Sequence, residues 1–136
     1  MEQQLNIGRA SAASGVSAKM IRHYEESGLI PRARRTAAGY RVYRDADVHT
    51  LRFVRRARDL GFSVKEIQVL LTLWHNRRRA SADVKRLALQ HVADLDRKSS
   101  ELQVMRRTLV NLADHCHGDH RPDCPILDDL AKEEKA

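Results

Sequence analysis

The chain has 136 residues, 42% hydrophobic and 32% charged, a length and balance suited to about one soluble globular domain. No apolar run approaches the ~18 residues of a membrane span, and the opening MEQQLNIGRASAASG lacks the apolar stretch of a secretory signal, so the expected location is the cytoplasm, away from membranes. Charge is uneven: residues 1–80 carry 16 Lys/Arg against 7 Asp/Glu, and residues 81–136 carry 9 against 11, which points the first part at a polyanion unless it is simply a solvated basic surface.

Asn6 is placed to cap a first helix through Ala12, with Ile7, Ala10 and Ala13 on its apolar side. Ser14-Gly15 breaks it. Ser17 caps a second helix from about Ala18 to Ser27, stopped by Gly28. Helix, short Gly-containing turn and helix make the helix-turn-helix pattern. The second helix presents Lys19, Arg22, His23 and Tyr24, side chains suited to phosphate oxygens and base edges. The plainer alternative puts Tyr24 in the core and leaves Arg22 an ordinary surface charge.

Leu29-Ile30-Pro31 ends that helix, and Arg32, Arg34 and Arg35 make a basic loop. Gly39-Tyr40-Arg41-Val42-Tyr43-Arg44 alternates aromatic or apolar with basic residues, as a short strand or hairpin does. A basic β element behind a helix-turn-helix reads as a wing that grips the nucleic-acid backbone. Asp45 or Asp47 starts a third helix that runs to Leu60, with Leu51, Val54 and Leu60 apolar and Arg52, Arg55, Arg56 and Arg58 basic. Ser63 caps a fourth, Val64 to about His75, with Ile67, Leu70, Leu71 and Trp74 on the buried face. The expected organisation is a DNA-binding part over residues 1–75, a polar hinge over 76–80, a long helix over 81–114 and a terminal loop with a short helix over 115–136.

The long helix, from Ser81, contains no Gly or Pro. Val84, Ala88, His91, Leu95, Lys98, Leu102, Met105, Leu109 and Leu112 follow alternating steps of four and three, an imperfect heptad seam. At 1.5 Å per residue such a helix spans roughly 50 Å. With only 4% aromatic residues to build a core, the rod is expected to pair with a second copy. A twofold homodimer would set two DNA-binding halves on a palindrome-like duplex.

Beyond it, His115-Cys116-His117-Gly118-Asp119-His120-Arg121-Pro122-Asp123-Cys124-Pro125 holds both cysteines and three of the seven histidines. A reducing compartment argues against a structural disulfide and for metal or redox chemistry. Two thiolates alone suit a soft monovalent ion such as Cu(I). Zinc wants four ligands, and Cys116, Cys124 and two of His115, His117 and His120 can supply them. On the residues alone both stay open, as does redox sensing through the two thiols. Pro125 suits the first position of a short helix through Leu130, whose N-terminus would favour an anionic centre. Asp128, Asp129, Glu133 and Glu134 read as a solvated end.

Met20-Ile21-Arg22-His23-Tyr24-Glu25-Glu26-Ser27-Gly28-Leu29-Ile30, then Gly39-Tyr40-Arg41-Val42-Tyr43, then Ala57-Arg58-Asp59-Leu60-Gly61-Phe62 carry a resemblance to the MerR family of transcriptional regulators over nearly the whole chain. Within it the sequence is most similar to copper-efflux regulators of the CueR type, through Ser81-Ala82-Asp83-Val84-Lys85 and the ending Cys116-x7-Cys124-Pro125-Ile126-Leu127. The resemblance implies a mainly α protein: a winged helix-turn-helix DNA-binding domain, a long antiparallel coiled-coil dimerisation helix and a C-terminal metal-binding loop. By position it implies DNA contacts from Lys19, Arg22 and Tyr24, from Tyr40 and Arg41 of the wing, and from Arg58. Cys116 and Cys124 would be the metal ligands. Ser81 stands where divalent-sensing branches carry a cysteine from the partner subunit, which favours Cu(I), with Ag(I) or Au(I) able to substitute. Lys85, one turn on, would partly neutralise the centre or stay an exposed lysine. Ile126 and Leu127 would dock on the DNA-binding half.

The implied function is activation of copper-efflux genes. The dimer distorts promoter DNA whose spacer is too long for RNA polymerase to engage both elements. The alternatives are a zinc-like divalent sensor of the same family and a cytoplasmic copper-storage or chaperone protein. A thiol enzyme has nothing behind it but the two cysteines, since there is no C-x-x-C and no strand pattern of a redox fold.

Overall fold

The computed structural model describes residues 3–132, so the expectation for Glu133 and Glu134 lies outside the described residues. The element order is α1 (Ile7–Ser14), α2 (Ala18–Glu26), β1 (Arg34–Arg35), β2 (Arg41–Val42), α3 (Asp45–Asp59), α4 (Val64–His75), α5 (Ser81–Asp114) and α6 (Pro125–Leu130). Contacts divide the chain into two units, residues 1–84 and 85–136, with the boundary inside α5. The fold is mainly α, with a helix-turn-helix and a two-stranded wing. Among the described residues no helix is long and apolar enough to cross a membrane.

Local chemistry sets the element ends. The Asn6 side chain accepts from the Arg9 amide at 2.8 Å and starts α1. Gly15 ends it in the left-handed region at φ 76°, its N–H donating to the Ser11 carbonyl. Ser17 caps α2 through the Met20 amide. α3 begins at Asp45, the first of the two expected aspartates: Arg44 is the cap residue, and Asp47 reaches back to accept from its amide at 2.8 Å. Ser63 and Glu66 cap α4 reciprocally, each side chain accepting from the other's amide.

The first unit is built on a small apolar core. Ile21 of α2, Leu51 and Val54 of α3, Ile67 of α4 and Tyr43 beside β2 are its largest fully buried side chains. Arg52 of α3 donates from Nε to the Ala13 carbonyl at 3.0 Å, tying α3 to the end of α1. The guanidinium of Arg55, on the same helix, lies over Gly15, whose left-handed backbone is what calls for glycine in the helix-turn-helix turn.

Three apolar expectations shift. Ala13 is exposed, because α1 turns Ala10 and Ser14, with part of Ile7, inward. Leu60 is 50% exposed, since α3 ends at Asp59 and the chain turns out at Gly61. Trp74 is 41% exposed, although its ring stacks on Phe53 at 4.7 Å with planes 6° apart. The wing takes the hairpin alternative of the sequence reading. β1 comes out of the basic loop and runs antiparallel to β2, Arg34 opposite Val42 and Arg35 opposite Arg41.

In the second unit α5 is exposed along most of its length. Leu95, Leu102, Met105 and Leu109 of the heptad seam face solvent, with Leu89, Val92 and Val110 beside them. An apolar stripe of this length on a 34-residue helix fits coiled-coil dimerisation.

Truncating a filled core position should cost more than straining a turn. Leu51→Ala is expected to lose about 2–5 kcal/mol of stability, and Gly15→Ala about 1–2 kcal/mol from the left-handed backbone. Urea unfolding of the full chain measures both; the opposite order would show that Leu51 does not fill the core.

Candidate nucleic-acid interface and thiol loop

α2 divides into an inner and an outer face. Ile21, Tyr24 and Glu25, three and four residues apart, turn inward, and Lys19, Arg22 and His23 stay exposed. Lys19 and Arg22 are three apart on the open side, a pair of cations one helical turn wide. Tyr24 is 5% exposed and belongs to the core, which corrects its place among the DNA contacts. The reason is periodicity: Tyr24 falls on the Ile21 stripe, and its ring carries too much apolar area to be left out.

The wing tip is a tight turn. The Thr36 and Tyr40 backbones bond at 2.8 Å, the Tyr40 amide donates to Thr36 Oγ1, and Gly39 takes φ 89°. Arg35 donates to the Gly39 carbonyl at 2.7 Å and stiffens the turn. Tyr40 projects from it, 73% exposed. Arg41 behaves otherwise. It is half-buried, and its Nε lies 3.2 Å from Oε2 of Glu25. The other oxygen of that carboxylate accepts from the Tyr43 hydroxyl at 2.6 Å. Burial, and then the bond to Glu25, hold the Tyr43 phenol well above its ordinary range, so it stays a donor. Sequence reasoning missed Glu25 and Tyr43 as a pair; the available signal was Glu25 four residues after Ile21, on the helix's inner face.

In α3, Arg58 is exposed as expected. Its neighbours are partly committed: Arg55 lies 3.9 Å from Asp59, and Arg52 holds Ala13.

The thiol loop leaves α5 at Asp114. The His115 ring nitrogen Nδ1 is 2.6 Å from the Asn111 carbonyl. A carbonyl only accepts, so the geometry places a proton on Nδ1 and the lone pair on Nε2. Gly118 turns the chain at φ 64°. Asp119 is held by Arg121 through the Arg121 amide, Nε and Nη2, at 2.8 to 2.9 Å. Those bonds lower the Asp119 carboxyl below its ordinary range. Cys124 is the cap residue of α6, and its carbonyl accepts from Asp128 at 3.0 Å. Both cysteines are free, half-buried thiols. His117 and His120 are exposed. Among the described residues, no three His, Cys, Asp or Glu side chains of this loop bring ligand atoms within 4.8 Å of one another. Ser81 opens α5 and Lys85 follows one turn later, both exposed.

Two family models cover most of the chain: "MerR HTH family regulatory protein" over residues 5–73 and "MerR, DNA binding" over residues 48–112. The chain is 64% identical over 127 residues to heavy metal-dependent transcription regulator 2 of Rhizobium meliloti (strain 1021), covering 93% of this chain and 86% of that one. It is 42% identical to the HTH-type transcriptional regulator CueR of Salmonella typhimurium (strain LT2), covering 93% and 92%. Among solved structures, the lead(II) complex of the transcription regulator PbrR691 from Ralstonia metallidurans CH34 superposes with a TM-score of 0.79 at 29% identity, covering 93% of this chain and 99% of that one. The motifs, the fold and these matches agree: the chain belongs to the MerR family of DNA-binding helix-turn-helix transcriptional regulators.

Proposed function

We propose that this regulator is a cytoplasmic homodimer that responds to Cu(I), with Ag(I) or Au(I) able to substitute, and activates copper-efflux and detoxification genes. The observation that carries the reading is the donor set of the terminal loop: two free, half-buried thiols, the chain's two cysteines. Cys116 and Cys124 would hold the ion, which would supply a soft centre joining the two ends of the loop. Two thiolates satisfy a soft monovalent cation and leave a divalent one short of partners. Ser81 supports the same choice, since its hydroxyl replaces the thiol that a divalent site would take from the partner subunit. Lys85 would offset part of the remaining negative charge.

The output follows from the basic unit. Lys19 and Arg22 of α2, Tyr40 at the wing tip and Arg58 of α3 are exposed and fit a duplex, while Arg41 reaches it from its pair with Glu25. Two copies joined along α5 would set two such surfaces on promoter DNA. Bending and untwisting an overlong spacer would let RNA polymerase engage both promoter elements, the cost of deformation being offset by contacts at the two ends.

A divalent sensor of the same family is the second reading. It draws support from the name of the Rhizobium relative and from the lead(II) in the PbrR691 structure. A storage or chaperone role leaves the helix-turn-helix without a task.

Replacing either thiol separates sensing from binding. Cys116→Ser is expected to abolish copper-induced transcription while promoter affinity stays within about twofold, since the loop carries no phosphate contact. X-ray absorption of the copper-loaded protein should give two sulfurs and no nitrogen; a nitrogen shell would move the reading to the histidines and a divalent ion. For DNA, Lys19→Ala and Arg22→Ala should each weaken binding and lower the slope of log K against log salt by about one. Tyr24→Phe should leave that slope unchanged, and a reduced slope would return Tyr24 to the interface.

A further inference from the structure

Glu25 is a carboxylate where a DNA-binding surface would be expected to avoid one. It lies on α2, the helix that carries Lys19 and Arg22, yet it is only 6% exposed and both its oxygens are engaged. Oε1 accepts from Tyr43 and Oε2 faces Arg41 Nε. Those two residues flank Val42 in the wing, so one side chain of the recognition helix holds the strand on either side of its centre. The wing needs such an anchor. Its strands are two residues long, and a two-stranded hairpin is marginal by itself. Tyr43 is also fixed by backbone bonds to Leu5, at 2.7 and 2.8 Å, so the Tyr43 end of β2 is secured twice. Arg41, next to the exposed Tyr40, pairs with Arg35 of β1 in the strand ladder, and its guanidinium is held by Glu25.

We infer that Glu25 and Tyr43 are positioning residues for DNA recognition: they set the wing at a fixed angle to α2 and aim the Arg41 guanidinium at a backbone phosphate. A guanidinium has five N–H donors in a rigid fork. Glu25 occupies the Nε edge and leaves the Nη edges for the phosphate. The Tyr43 hydroxyl fills the carboxylate's other oxygen, which keeps Glu25 in one orientation. The inference rests on the reading of the wing as a DNA contact, and Glu25 itself touches no DNA.

The sign of the effect is diagnostic. On charge alone, removing a carboxylate beside DNA tightens binding. Positioning requires the opposite. The full-length protein is tested against a duplex that it selects from a random-sequence pool, by titration and hydroxyl-radical footprinting, with Tyr40→Ala marking the wing's protections. Glu25→Gln should bind about tenfold more weakly, the low end for a bond to a charged group. Its wing protections should vanish while those of α2 persist. Tyr43→Phe, which keeps the ring in the core, should show the same selective loss at about fivefold. Circular dichroism and melting follow both variants. Tighter binding by Glu25→Gln overturns the inference. So does uniform loss of all protections in step with a lowered melting temperature, which is what a merely structural role gives. If Glu25→Gln does not fold, Tyr43→Phe decides: selective wing loss upholds the inference and an unchanged footprint overturns it. Wild-type protein without protections sensitive to Tyr40→Ala sinks the wing reading itself, and this inference with it.

Discussion

An apolar stripe must be buried, and α5 carries one that its own chain leaves in solvent. Leu95, Leu102, Met105 and Leu109 repeat at steps of seven, three and four along the helix, and all are exposed. Fully burying a side chain of this kind contributes roughly 1.5–3 kcal/mol. Several of them, doubled by symmetry, therefore outweigh the entropy of joining two chains. The same seam fixes stoichiometry and geometry together. A second copy brings a second recognition helix, and a twofold axis makes the pair fit a palindrome-like duplex. Lys98 interrupts the exposed stripe with a charge, whereas His91, on the same heptad positions, is buried within the chain.

The first unit solves a different problem, that of a small core with few aromatic residues. Tyr43 and Tyr24 supply two of its largest side chains, and Tyr43 brings a hydroxyl that needs a partner. Glu25 is that partner, and its charge then needs Arg41. A core requirement thereby reaches the surface in two steps and determines how a wing arginine is presented. Packing and the wing arginine share one hydrogen-bond chain.

Most of the fold was legible because its punctuation is local. Asn6, Ser17 and Ser63 cap helices by their own side chains, and Gly15 carries the turn through its backbone. The heptad seam was legible for the same reason: periodicity is a property of the sequence. What escaped depended on tertiary partners. β1 exists only because Arg34 and Arg35 pair with β2, and nothing in a run of arginines announces a strand. Trp74 and Leu60 are apolar at helical spacing, yet the elements that would cover them within the chain end too soon. Tyr24 was legible as aromatic and near cations, and its face followed from Ile21 only once the inner stripe was known. Of the site, the exposed cations and the two thiols were readable. The Glu25 relay was not, because a buried carboxylate looks in sequence like any surface glutamate.

Selectivity at the loop then becomes a question of which donors are already spoken for. Asp119 is pinned by three contacts from Arg121 and is withdrawn as a ligand. His115 turns Nδ1 to the Asn111 carbonyl, so it retains a single lone pair, on Nε2. His117 and His120 are exposed and would have to give up water and side-chain freedom to join a site. Cys116 and Cys124 stand half-buried at the two ends, the second as the cap residue of α6. A cation content with two soft ligands takes these as they are. A cation that demands four must also recruit histidines against that cost. What the loop offers a cation is thus set less by the two cysteines than by the side chains around them that are held elsewhere.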